Sequence, residues 1–245
     1  MKYIHYCESY SDFEERAENY APSDPWVSVT EGFEGVTYSP ALDSGGYECV
    51  DLGLPSGYLW ASCNIGASNP EDYGYYFAWG EVNPKEAYNW DTYTWGTSAS
   101  SFSRYGQANQ AVSLYASDDA AIVRMGSFWR MPTSSDAQEI LNNTTLTIET
   151  LNGVNGVRFT GQNGNSIFIP AAGHKYNTDT EELGNYCDVW TSTRVNNNTA
   201  LAHTLYANLT SEANGVGAGS RQWGIPIRGV FVDRRYWYNK PDLGR

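Results

Sequence analysis

Residues 47–79 read YECVDLGLPSGYLWASCNIGASNPEDYGYYFAW, and further along residues 126–133 read GSFWRMPT. Aromatic, glycine and small polar residues interleave here too densely for a helical face. Apolar positions instead recur at spacing two, in short bursts between Pro, Gly and Asn turns, which is the signature of many short strands and few helices. Leu54, Pro55, Ser56 and Gly57 suit a tight turn between strands expected at 48–52 and 59–64, so the body opens with a hairpin.

Two helices are expected beyond it. Asp118 stands ahead of an apolar face of Ala121, Ile122 and Met125, with Gly126 as a stop, giving a short helix capped by Asp118. Thr133 and Asp136 have capping-box spacing, and Ala137, Ile140 and Leu141 repeat at i, i+3, i+4 until Asn142 and Asn143. Further strands are expected at 156–160, 166–170, 188–192, 202–208 and 226–232. Gly215, Gly217 and Gly219 lack the strand–turn–helix context of a nucleotide loop and read as a flexible loop. The class is α+β, with twisted antiparallel sheets, two short helices and long loops.

The blocks VDLGLPSGYLWASCNIGA (50–67), DYGYYFAWGE (72–81), SDDAA (117–121), GSFWRMPT (126–133), NGNSIFIPAAG (163–173) and DVWTS (188–192) strongly resemble the Fibrobacter succinogenes major paralogous domain family. That family occurs on surface proteins of Bacteroides-type gut bacteria and on gut-phage virion proteins, and is related in fold to C-type lectins and formylglycine-generating enzymes. The resemblance implies a C-type-lectin-like domain over 47–232. Residues 1–46, charged and tyrosine-rich and then rich in Pro and Gly, cannot bury a core of their own and read as an attachment arm. Residues 233–245 read as a tail. Trp60, Trp79, Trp129 and Trp190 are expected in the core, and Trp129→Ala is expected to cost about 3–5 kcal/mol in a chemical denaturation experiment.

A net charge of −13 and a pI near 4.5 oppose binding to nucleic acid or to an anionic membrane, since either needs basic patches. The N-terminal stretch has no apolar signal-like core, and no apolar run is long enough to span a membrane. Cys7, Cys49, Cys63 and Cys187 show no zinc spacing and are read as free thiols, with a bridge between Cys49 and Cys63 as the alternative on neighbouring strands.

Enzyme chemistry is not expected. Formylglycine-generating enzymes use a cysteine pair in the C-terminal part of the fold, where this chain has Cys187 alone. His5, His174 and His203 have no G-x-S-x-G serine to serve, and His174 reads as a structural histidine. The calcium-binding Glu-Pro-Asn and Trp-Asn-Asp segments of C-type lectins do not occur, so no metal and no cofactor are expected. The remaining candidates are Arg194, Asn196, Asn197, Asn198, His203, Tyr206, Asn208, Arg221 and Trp223, a mixture of aromatic faces, planar amides and guanidinium groups suited to a glycan or protein ligand. The expected function is a non-enzymatic, ligand-binding virion component of the head- or tail-fibre type that recognises a bacterial surface glycan or protein. Its arm would bind other virion proteins, and the assembly would be a homo-oligomer, a trimer by analogy with fibres. A bacterial cell-surface adhesin is the alternative; a glycan-active enzyme ranks third.

Overall fold

A computed structural model of the chain describes residues 47–106 and 112–232. The arm at 1–46, with Cys7 and His5, and the tail at 233–245 lie outside the described residues. Among the described residues the order is β1 (Cys49–Val50), β2 (Leu59–Ala61), β3 (Tyr76–Phe77), β4 (Gly96–Ser98), β5 (Ser101–Phe102), a 3-10 turn (Ala116–Asp118), α1 (Ala120–Met125), β6 (Trp129–Arg130) and α2 (Ser134–Asn143). There follow β7 (Thr144–Leu151), β8 (Val154–Gly161), β9 (Ser166–Pro170), β10 (His174–Tyr176), β11 (Asp179–Glu181), β12 (Tyr186–Arg194), β13 (Leu201–Asn208), β14 (Asn214–Ser220), β15 (Ile225–Pro226) and β16 (Val230–Phe231). The strand pairings are antiparallel, and with two helices the molecule belongs to a β-rich α+β class.

The opening hairpin forms as expected: Cys49 faces Ala61, and the turn closes with Gly57 N–H donating to Leu54 O at 2.8 Å. It does not stay a hairpin. β16 adds beside β2 and carries β6 on its other edge, so the last described strand is interior to a four-stranded sheet. The strand expected at 226–232 is broken between β15 and β16 by Arg228. This buried guanidinium donates to Asn64 Oδ1 (2.9 Å) and to the carbonyls of Ala61 (3.0 Å), Ser62 (2.6 Å) and Phe168 (2.9 Å). It thereby staples three distant segments.

Asp119, not Asp118, caps α1. Its carboxylate accepts from the N–H groups of Ala121, Ile122 and Met131, while Asp118 lies in the preceding turn and accepts from Arg104 and Tyr105. Both acids of the SDDAA block are thus consumed in local structure. The capping box of α2 forms as read, with Thr133 and Asp136 exchanging side-chain-to-backbone bonds.

All four expected tryptophans are fully buried. Trp79, Trp129 and Trp190 share one cluster with Phe77, Tyr105 and Phe231. Trp60 joins a second, in which Val189 and Leu205 of the β12–β13–β14 sheet meet Val157, Ile167 and Ile169 of the β7–β8–β9 sheet, with Ala137 and Ile140 of α2. Cys49, Cys63 and Cys187 are free thiols, so no bridge joins Cys49 to Cys63.

The segment read as a flexible glycine loop is β14, fully paired to β13. Gly215, Gly217 and Gly219 share one face of this strand. A Cβ at Gly217 would lie 2.7 Å from the Tyr206 ring, and one at Gly219 would lie 2.9 Å from Trp190. The glycines are there to receive rings, which composition alone reads as looseness.

Candidate functional site

The register of β12, β13 and β14 sorts the candidate residues by face. Tyr186 pairs with Asn208, Asp188 with Tyr206 and Gly215, and Trp190 with Thr204 and Gly217. These residues share one face, and Cys187, Val189, Leu205 and Ala207 point the other way into the core. On the first face the Tyr186 and Tyr206 rings stack, centroids 5.7 Å apart and 7° from parallel.

A second ring pair adjoins this one. Gly173 N–H donates to Tyr186 O at 2.8 Å, and the next residue is His174. Its imidazole stacks on the Trp223 indole, centroids 4.3 Å apart at 22°. Trp223 is held there by backbone exchange between Lys175 and Gly224, at 2.7 and 2.9 Å. A Cβ at Gly224 would meet the Tyr88 ring at 2.8 Å, so glycine is what lets the loop approach. All four rings are partly exposed. Lys175 Nζ sits over the Tyr76 ring at 5.3 Å.

Charge is placed asymmetrically around the rings. His174 Nε2 lies 3.3 Å from Glu181 Oε2, outside hydrogen-bond alignment. Burial pushes the imidazole's pKa down and outweighs the opposing pull of Glu181. Asp188 is almost wholly buried, and its Oδ1 has no hydrogen-bond partner among the described residues. Removal from water pushes its carboxyl up from 3.8 to about 7, against weaker opposing bonds from Thr204 and the Val189 backbone.

The sign of the resulting pH dependence follows. Between about pH 4 and pH 7 the folded state keeps this proton while the unfolded chain gives it up, so stability falls as pH rises. The loss across that window is expected to be about 4 kcal/mol. Urea melts at several pH values should show this slope, and Asp188→Asn should flatten it and be the more stable protein at alkaline pH. Parallel profiles for parent and variant would mean that the carboxyl is ionised throughout.

The residues singled out from sequence do not form one surface. Tyr206, Asn208 and Trp223 belong to the ring-bearing region, with Asn208 Oδ1 engaged in accepting from Thr210 and Ser211 N–H. His203 points to the opposite face, where its Nδ1 lies 3.1 Å from Gly217 O. Asn196, Asn197 and Asn198 are exposed, in the turn at the far end of β12 and β13. That places them roughly 25 Å from Tyr186 at the rise of an extended strand.

Arg194 and Arg221 are corrections, since both are buried and neither offers its guanidinium to a ligand. Arg221 donates to Tyr93 Oη (2.9 Å) and to the carbonyls of Thr199 (3.0 Å), Arg104 (3.1 Å) and Tyr105 (3.4 Å). Its charge lies over the rings of Phe102 and Trp79, at 4.5 and 4.7 Å. An arginine solvated by carbonyls and π faces is a structural cation. His174 and Tyr186, conversely, carry no such mark in the sequence, where His174 reads as structural; its partner Trp223 lies too far along the chain for spacing to reveal.

Cys187 is buried, donates to Ile169 O at 3.3 Å, and has its thiol pushed up to about 12 by burial. No cluster of three or more His, Cys, Asp or Glu side chains among the described residues is arranged to hold a metal ion. No described helix is long and apolar enough to cross a membrane. Comparison of the chain with protein-family models, curated proteins and solved structures gives no match.

Proposed function

We propose that the chain is a non-enzymatic binding module of the C-type-lectin-like variety, carried on a phage particle and recognising a bacterial surface glycan or protein. The observation that carries this reading is the pairing of two partly exposed ring stacks, His174 with Trp223 and Tyr186 with Tyr206, beside the charged Lys175 and Glu181. Ring faces cover the C–H patches of a sugar or an aliphatic side chain, and flanking charges orient its hydroxyl or amide groups. Two helices set among antiparallel sheets support the lectin-like form. The resemblance of blocks 50–67, 72–81 and 126–133 to gut-phage and gut-bacterial surface proteins supports the setting.

The test uses fluorescently labelled protein on intact cells of gut bacteria. Trp223→Ala is expected to weaken saturable binding at least about tenfold, the usual effect of removing a central aromatic anchor. The triple variant Asn196→Ala, Asn197→Ala, Asn198→Ala should bind like the parent. The reverse outcome, with melting temperatures unchanged, would move the ligand face to the distal turn. Binding unaffected by either variant would overturn the reading.

A further inference from the structure

β7 is an eight-residue strand at the edge of the β7–β8–β9 sheet. Such edges are usually protected by a proline, a lysine or a bulge, because their unpaired amides invite another strand. This one, TTLTIETL, has none of these, and its register with β8 is unbroken from Thr144 to Leu151. Its charged residue, Glu149, is neutralised within the sheet by Arg158, whose Nε and Nη2 donate to Oε1 at 2.9 and 2.6 Å.

The turn fixes which amides face outward. Leu151 and Val154 flank a two-residue turn, Asn152 and Gly153, with φ of 49° and 86°. They therefore form a hydrogen-bonded pair, and alternate residues back along the strand, Glu149, Thr147 and Thr145, also aim their amides at β8. Thr144, Leu146, Ile148 and Thr150 aim theirs outward. Among the described residues Leu146, Ile148 and Thr150 have no other backbone partner for these outward groups, and Thr144, the C-cap of α2, offers its carbonyl.

We propose that the chain self-associates two-fold by antiparallel pairing of β7 with β7 of a second copy, centred on Thr147. Outward-facing residues must pair with outward-facing residues. The two-fold register centred on Thr147 is the one that uses all of them: Thr144 meets Thr150 and Leu146 meets Ile148 of the other copy. Shifting the centre to Ile148 pushes Thr144 onto Asn152, whose positive φ lies outside the strand. Shifting it to Glu149 sets two carboxylates face to face.

The side chains agree with the chosen register. Leu146 opposite Ile148 covers an isoleucine that is 41% exposed. Thr147 meets Thr147, and Glu149 meets Thr145 rather than another acid. Two copies at −13 each repel at long range, so added salt tightens the pair. The seam is isologous and closes at two copies.

Sedimentation equilibrium of the full chain over a concentration series tests this, with the mass expected to rise to twice the monomer. Ile148→Pro removes only an outward N–H, so it should leave the melting temperature near that of the parent and hold the mass at one copy. Thr147 faces its own symmetry mate at a non-hydrogen-bonded pair, where Cβ atoms come within disulfide reach. Under mild oxidation Thr147→Cys should therefore run as a covalent dimer on a non-reducing gel, while Thr145→Cys and the parent should not. The proposal is overturned by a monomeric mass at every concentration, by a dimer that survives Ile148→Pro, or by equal cross-linking of Thr145→Cys.

Discussion

Arg221→Ala is expected to destabilise the fold by on the order of 5 kcal/mol. Truncation removes the guanidinium donors to the carbonyls of Arg104, Tyr105 and Thr199 and to Tyr93 Oη, and an acceptor left unpaired in the interior costs about 1–3 kcal/mol. It also empties a box walled by Trp79, Phe102, Tyr93 and Tyr105. Domains of this size have about 5–15 kcal/mol in hand, so the variant should be largely unfolded at moderate urea. Arg221→Lys should recover only part of the loss, because a single ammonium cannot reach carbonyls arranged around a planar fork. Far-ultraviolet circular dichroism against urea reads both. An Arg221→Ala protein that melts like the parent would return this residue to the list of surface contacts. The same expectation warns that any binding lost on this substitution reports unfolding.

Trp190→Ala should cost a similar amount, about 5 kcal/mol, for a different reason. Large-to-small replacement of a buried tryptophan typically costs about 3–5 kcal/mol. Here the indole N–H also donates to Phe77 O at 2.8 Å, and truncation removes that bond as well. Relief by collapse is poor. The ring and the Ile225 side chain both lie against Gly219 of β14, and a glycine has no side chain to move into the void. Differential scanning calorimetry should show a lowered transition, and Trp190→Phe should restore part of the packing without the hydrogen bond. A transition within a degree or two of the parent would show that the sheet face can close without the indole.

These two residues also show where sequence reading succeeds. Trp190 belongs to the DVWTS block, where a large apolar ring follows Cys187 and Val189 in a short β-prone run, and a buried strand carrying a buried tryptophan follows directly. Arg221 is an exposed-type residue by composition. Its burial depends on rings at Trp79, Tyr93, Phe102 and Tyr105, far away in the chain, and no local pattern announces them. β14 is hidden for the same reason, since its glycines read as looseness until Tyr206 and Trp190 are set against them. The hairpin of β7 does carry a local signal, Asn152 and Gly153 between alternating Leu146, Ile148 and Val157, but the helix pattern of α2 runs straight into the threonine-rich strand and masks its start. For the candidate site, Tyr206 and Trp223 could be selected by residue type. Their stacking partners Tyr186 and His174 emerge only from cross-strand register and a loop crossing.

The position of β16 has a consequence for how the molecule is made. The four-stranded sheet is knitted around Val230 and Phe231, which pair with residues 59–60 on one side and 129–130 on the other, while Arg228 reaches back to Ala61 and Ser62. During synthesis β1 and β2 therefore wait for almost the whole described domain before the neighbour of β2 exists. Contacts of such long sequence separation close slowly and leave strand edges open in the interval. A nascent chain halted before Phe231 should therefore present chaperones and proteases with an unfinished sheet instead of a smaller working domain.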